Sequence, residues 1–597
     1  MIGPRPRAVA CVLSAAMALP AAAQQQVPNT VDIPFNRFSD VDGIYDQMFR
    51  LAEAYPSLCR VERFGTSTKG RPMLALVIGN PATGDERDKP AMYIDGAIHA
   101  NEIQAAETVT YTAWYLLGAH GHVPSLTALV DRCTFYLVPL VNPDGRDTWF
   151  ADAHTPHSAR TGQHPFDNDG DGLTDEDGPD DLDGDGHITM MWRPDPFGTH
   201  RRDPRDPDRM VRVPTEPRAD GTREYGEWSM AGQEGFDNDG DGQVNEDGPG
   251  GYDMNRNFPS GWEPENIQGG AGAYPLCWAE TRALADWVLA KPNIAASQAY
   301  HNTGGMILRG PGAASRERDY PGEDVAVYRR IQETGARMLP FYRPMVIHKD
   351  LYTVHGGVVN WFAEGLGVIS LTNELWTDKR IRQDGQDPND DDRRLWEQRM
   401  LFGQTRVPLR EVRHPDLGPV LVGGGTKFSS RIPPPFMMEE ELHRNFAFSM
   451  YHAEQMPLLR FESVDTVEAA PGLWEVTVTV ANDRLIPTRT TRAADKAIGI
   501  DDVLELSGAP VAASGRLARR TDRAFDPQPF RAHALRFPQG VPGHGSSAAR
   551  FLVTGERGTP ITLRWTSEKA ADIKTTVRLG ESTIPGPAPA DGAGRSP

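Results

Sequence analysis

Between residues 38 and 456 the chain alternates short apolar runs with helix-patterned stretches, and this alternation constrains its fold more than any other feature. Residues 91–94, 135–140, 294–299 and 368–371 are apolar runs of strand length. Residues 40–54, 103–117 and 279–289 carry apolar side chains at helical spacing between them, and 439–456 reads as a closing amphipathic helix. Strands that are apolar on both faces must be covered on both faces. The pattern therefore predicts an α/β domain with a largely parallel or mixed sheet, whose sites lie at the carboxyl ends of strands.

Two features interrupt it. Residues 150–250 are rich in Asp, Gly and Pro and contain an internal repeat, FDNDGDGLTDEDGP from Phe166 and FDNDGDGQVNEDGP from Phe236. Beyond residue 458 the helical signals stop, and residues 474–480, 550–553, 561–565 and 573–579 alternate at period two with turn residues between them. The expected organisation is an α/β domain over 32–456 with an insert at about 150–250 and an all-β, sandwich-like domain over 458–584. A Pro/Gly/Ala-rich disordered tail is expected over 585–597.

Arg5 and Arg7 precede an apolar stretch over 8–19, followed by Pro20 and three alanines ending at Ala23. This reads as a signal peptide cleaved after Ala23, placing the mature chain in a secreted or periplasmic compartment. The stretch is too short for a transmembrane segment, and no later one approaches the roughly 20 residues required. A formal net charge of −20 argues against nucleic acid as a partner, because phosphate binding needs a basic face. Cys11 would leave with the signal; Cys59, Cys133 and Cys277 fit one disulfide and a thiol, or three buried side chains.

His99-Ala-Asn-Glu102 follows the run at 91–94, at the turn into a helix, and His301 follows the run at 294–299. A catalytic zinc takes three protein ligands and keeps a fourth position for water. H-x-x-E alone is weak evidence. Its weight comes from further segments in a fixed order: Trp192-Arg193, Asn255-Arg256-Asn257, His301, then Tyr352-x-x-x-Gly356-Gly357-x-x-Asn360-Trp361, ending in Glu374. In that order the chain resembles the M14 family of zinc carboxypeptidases over about residues 32–376, with the acidic insert as an interruption.

The resemblance implies a zinc-carboxypeptidase-like catalytic domain with His99, Glu102 and His301 as zinc ligands and Glu374 as general base. It implies Asn255 and Arg256 as the pair that holds the substrate's terminal carboxylate. Arg193 is implied as the arginine that polarises the scissile carbonyl, and Tyr352 as a mobile tyrosine closing over substrate. Val359 matches the base of the side-chain pocket, where an apolar residue favours apolar C-terminal residues. Asn101 departs from the pattern, since the pancreatic members carry an arginine there. The residue types suit the chemistry: zinc lowers the pKa of its water toward about 7, and a guanidinium grips a carboxylate with two parallel bonds.

In the insert, Asp167, Asp169 and Asp171 followed by Gly172 reproduce the D-x-D-x-D-G start of a calcium loop. Asp237, Asp239 and Asp241 repeat it, and Asp181, Asp183 and Asp185 give a third partial copy, so structural Ca2+ is expected beside one catalytic Zn2+. The expected function is a secreted zinc carboxypeptidase acting on peptide or protein C-termini. Rivals are a cell-wall peptidase cleaving beside D-residues or diaminopimelate, and a catalytically silent calcium-dependent binding module.

Overall fold

The four apolar runs lie side by side at the centre of one eight-stranded mixed sheet. The computed structural model describes residues 27–582 apart from 29 and 215; the expected signal peptide and tail lie outside the described residues. The strands are β1 (Cys59–Thr66), β2 (Pro72–Ile78), β3 (Ala91–Gly96), β4 (Thr134–Val138), β5 (Ile294–Asn302), β6 (Met306–Arg309), β7 (Arg343–Val346) and β8 (Ile369–Leu375). Their spatial order is β1-β2-β4-β3-β5-β8-β6-β7. β4, β3, β5 and β8 run parallel, while β1, β2 and β6 are joined antiparallel.

Alternation of side chains decides what covers each face. Leu74, Leu76 and Ile78 of β2 join a core with the helices Val41–Ala54, Gln104–Ala119, Gly322–Met338 and Pro435–Glu454. Ala75 and Val77, pointing the other way, join Leu284 and Trp287 of the helix Ala279–Leu289 and Trp361 and Phe362 beyond it. All nine residues of β5 are buried, as a central strand with two covered faces requires.

The insert is more than acidic loops. It contributes four strands (Met190–Gly198, His200–Asp203, Asp206–Arg212 and Gly226–Gln233) to a second sheet, completed by the distant hairpin Arg406–His414 and Gly418–Gly425. Among the described residues, small apolar clusters pack on this sheet, such as Met191 with Val420 and Val422, and Trp192 with Leu409 and Leu421.

The C-terminal region is β-rich, with two sheets of five and four strands between Leu459 and Arg578 and a short helix, Thr491–Asp495, that the all-β expectation did not include. They share one core that includes Trp474, Val476 and Phe551 from one sheet and Leu504, Leu563 and Trp565 from the other. This region is fastened to the α/β domain. The buried carboxylate of Asp324 accepts from the backbone N–H groups of Thr491 and Arg492, both at 2.9 Å, and Ile486 enters the larger core.

Candidate metal centre and substrate cleft

The parallel strands all point their carboxyl ends at one place. β3 leads into His99 and Glu102, β5 carries His301, and β8 carries Glu374 paired with His301 in register. His99, Glu102 and His301 are each no more than 4% exposed. His301 Nδ1 lies 3.1 Å from His99 Nδ1 and 2.8 Å from Glu102 Oε2, and His99 Nδ1 lies 3.1 Å from Glu102 Oε1. Two imidazole nitrogens and one carboxylate that converge on a common point are a donor set suited to a cation. Tetrahedral zinc with bonds of about 2.0–2.1 Å sets its ligand atoms about 3.3 Å apart, so these donors fit after moving a few tenths of an ångström.

The surroundings match such a centre. Asp253 Oδ1 lies 2.9 Å from His99 Nε2, the carboxylate–imidazole contact that orients a metal-bound histidine. Burial raises the Glu102 carboxyl, but His99 and His301 outweigh it and hold the group well below the usual range. The same contest at Asp253 is won by Arg256, His99 and Arg160. Glu374 is pushed up to about 7, by burial and by the Glu102 charge.

The cleft beside this cluster contains Asn255, Arg256, Tyr352, Val359 and Glu374. Asp253 caps the short turn Met254–Arg256, accepting from Asn255 N at 2.8 Å, and so sets the next two side chains. Asn255 Oδ1 accepts from Val358 N at 2.9 Å, tying that turn to the segment bearing Val359. Gly356 sits at φ +65, where an added Cβ would stand 2.1 Å from the Arg256 carbonyl oxygen, so the approach of these two segments requires glycine. Met306, Leu308, Ile347, Val354 and Val359 form an apolar wall. Tyr352 stands at the rim, 52% exposed.

Arg193 is not brought to this cluster. It lies exposed on the strand Met190–Gly198, paired with Ser229 in the second sheet. Two other arginines line the cleft instead. Arg160 reaches Glu102 Oε1 at 3.0 Å and Asp253 Oδ2 at 3.2 Å, with His99 Nε2 2.9 Å away. Arg431 reaches Glu102 Oε1 at 3.3 Å and donates to the Asn302 carbonyl at 2.6 Å. Sequence reasoning missed both because each lies in irregular chain outside any motif. The departure at Asn101 was the available hint, since a missing local arginine leaves the buried Glu102 to be met from elsewhere; Asn101 itself donates to the His157 carbonyl at 2.9 Å.

The acidic insert folds as loops closed by Asp side chains on glycine N–H groups, with Gly170, Gly172, Gly240 and Gly242 all at positive φ. Asp181 makes the same bonds to Gly184 and Gly186. Burial and the Asp247 carboxylate push Glu176 up to about 7, and burial with Asp177 does the same to Glu246.

Comparison with known proteins agrees with this geometry. The model of a family described as zinc carboxypeptidase matches residues 44–170 and 220–398, and a domain model of unknown function matches 458–578. Over 125 residues the chain is 34% identical to a protein of Saccharomyces cerevisiae named inactive metallocarboxypeptidase ECM14, covering 21% of this chain and 29% of that one. It is 32% identical over 121 residues to mouse carboxypeptidase A2 (20% and 28%) and 36% identical over 115 residues to carboxypeptidase B of Astacus astacus (19% and 36%). The matched stretch thus spans 28–36% of the length of these curated relatives. The crystal structure of carboxypeptidase A from Helicoverpa armigera aligns with a TM-score of 0.41 and 14% identity, over 70% of this chain and 75% of that chain.

Proposed function

Because the chain belongs to the zinc carboxypeptidase family, we propose that it is an active exopeptidase that removes single residues, preferably apolar ones, from peptide C-termini. The observation that carries this reading is one shared cleft. It combines a three-donor metal centre, a free carboxylate at Glu374, an arginine and asparagine at Arg256 and Asn255, and an apolar wall around Val359. Relatives named inactive raise a silent alternative, and the complete donor set together with Glu374 opposes it.

His99, Glu102 and His301 would hold the ion, which supplies a Lewis acid and a water acidic enough to act near neutrality. Glu374 takes a proton as the attack proceeds and returns it to the departing amine. Arg160 can donate to the carbonyl oxygen as it gains negative charge. Arg256 and Asn255 grip the terminal carboxylate, and the apolar wall receives the last side chain. Tyr352, at the rim, is placed to cover the bound residue. The leader-like residues 1–23 support export, which N-terminal sequencing of the mature chain tests. Calcium enters as a structural ion of the insert.

The clamp gives the decisive experiment. Amidating a good peptide removes the charge that Arg256 meets, and a charged hydrogen bond contributes about 1.5–3 kcal/mol, or about 10- to 150-fold. kcat/KM should fall by at least that factor, with the free acid releasing one C-terminal residue at a time. Equal cleavage of both forms would mean an endopeptidase or amidase.

A further inference from the structure

The insert's two copies of one sequence are folded by the structure as one object. In each copy the first Asp closes its own loop by accepting from two glycine N–H groups. The contacts between copies are different in kind. Asp177, at the end of the first repeat, and Asp247, at the end of the second, bridge each other as an antiparallel pair, with Asp177 N donating to the Asp247 carbonyl at 3.1 Å. Each then reaches into the other's loop. Asp247 Oδ1 accepts from Asn168 N at 3.0 Å and Asn168 Nδ2 at 2.6 Å. Asp177 Oδ1 accepts from Asn238 N at 3.2 Å and Asn238 Nδ2 at 3.0 Å.

This crossing gathers carboxylates of different repeats around common points. Asp167, Asp169 and Asp247 bring oxygens within 4.8 Å of one another, and Asp177, Asp239 and Glu246 do the same. The crossed residues are the buried ones: Asp247 is 1% exposed and Asp177 0%. Asp247 Oδ2 is buried without a hydrogen-bond partner, and so are both carboxylate oxygens of Glu246 and of Glu176, its counterpart in the first repeat. Buried carboxylate oxygens that meet only other carboxylates carry both a desolvation cost and like-charge repulsion. A hard divalent cation with oxygen ligands removes both. The orphaned oxygens of Glu176 and Glu246 fall at matching positions of the two repeats, whereas Asp177 Oδ2, the counterpart of Asp247 Oδ2, accepts from Asn245 N at 2.8 Å.

We propose that the two repeats form a two-ion Ca2+ module in which each ion is held by the D-x-D start of one repeat, with Asp237 assigned beside Asp239 by symmetry with Asp167, and closed by the Asp that ends the other. Asp247 closes the site of Asp167 and Asp169, and Asp177 closes the site of the second repeat. This rests on the calcium reading of the insert and adds that neither repeat holds its ion alone. Calcium suits a flexible all-oxygen shell of six to eight ligands better than magnesium, which demands a near-ideal octahedron. The third acidic group, Asp181 and Asp183 with Glu234, stands outside the module, because it draws no carboxylate from either repeat.

The module sits between the two feet of the insert. Arg160 precedes the first repeat by six residues and Asp253 follows Asp247 by six, and these two side chains bond at 3.2 Å beside His99. Closing the repeats on each other holds both feet at the edge of the metal centre.

The test counts ions by calorimetric titration of the full, zinc-loaded chain with CaCl2 after a calcium-selective chelator, with zinc content measured in each sample. Asp167→Asn and Asp247→Asn should each lose one ion, and the double variant should lose only that same one. Asp167→Asn with Asp237→Asn should lose two. If each repeat held its own ion, Asp167→Asn with Asp247→Asn would lose two and Asp237→Asn with Asp247→Asn only one, which overturns the exchange while keeping calcium. No uptake by the unmutated chain overturns the calcium reading itself. Should the variants fail to fold, anomalous scattering from crystals of the unmutated chain grown with calcium decides. An Asp247 oxygen within about 2.6 Å of the ion held by Asp167 supports the exchange. Asp247 bound only to the ion held by Asp237 refutes it.

Discussion

Which guanidinium meets the developing charge is a question two substitutions answer. Arg160 touches Glu102 and Asp253 and lines the cleft, whereas Arg193 faces solvent on another sheet. Arg160→Met should lower kcat by about 10²–10³-fold, the usual loss for one donor to a forming oxyanion, with zinc retained. Arg193→Met should leave kcat/KM within about twofold, and steady-state kinetics on both decides. Gly356 offers a subtler probe, because its missing Cβ is what lets Arg256 approach. Gly356→Ala should raise KM for the free acid about tenfold or more and shrink the free-acid preference over the amide, since the clamp and not the metal centre is displaced. The metal-site residues were legible because each sits in a motif at a strand end, where an α/β fold must present its chemistry, whereas Asn255 and Arg256, on the turn Met254–Arg256, were read only from the ordered motifs. Arg160 and Arg431 were not, because a cation arriving on an irregular segment leaves no periodicity or spacing to read.

At the scale of elements, the helix Pro435–Glu454 carries a group that should make the protein acid-sensitive. His452 is fully buried, and both of its ring nitrogens lack a partner, so burial drives it down to about 3. Its folded value is therefore below its unfolded one of about 6.5. The stability this represents is present above pH 6.5 and is lost as pH falls from there toward 3, because only the unfolded chain takes up the proton. Between pH 6.5 and 5 the loss is about 1.6 kcal/mol. Denaturant melts of His452→Leu should show that much less decline over the same interval; parallel declines would assign the acid sensitivity elsewhere. The long elements were readable from pattern alone, and the predicted helices at 40–54, 103–117 and 279–289 coincide closely with Val41–Ala54, Gln104–Ala119 and Ala279–Leu289. The second sheet was not readable. Its strands are mostly half-exposed, so they lack a clean apolar alternation, and its hairpin partner begins at Arg406, far along the chain.

The whole molecule is joined by polar docking as much as by apolar contact. Asp324 accepts two backbone N–H groups from the β-rich region while buried on the α/β side, and Thr490 donates to the Gly367 carbonyl at 3.0 Å beside it. Asp324→Ala would leave both N–H groups without their acceptor, a loss of about 2–4 kcal/mol. Calorimetry should then show the β-rich region unfolding earlier than the rest, and an unchanged profile would mean that this contact does not couple the two parts. The contact between Arg431 and Glu102 has a consequence in time. The two residues are 329 positions apart, and at about 5–20 residues per second a ribosome needs roughly 16–66 s to make the chain between them. Only when Glu374 has been made does the growing chain carry all three metal donors and that carboxylate, and Arg431 follows 57 residues, or roughly 3–11 s, later. The candidate metal centre therefore cannot be completed until residue 431 has been made, with 166 residues and the whole C-terminal β-rich region still to follow.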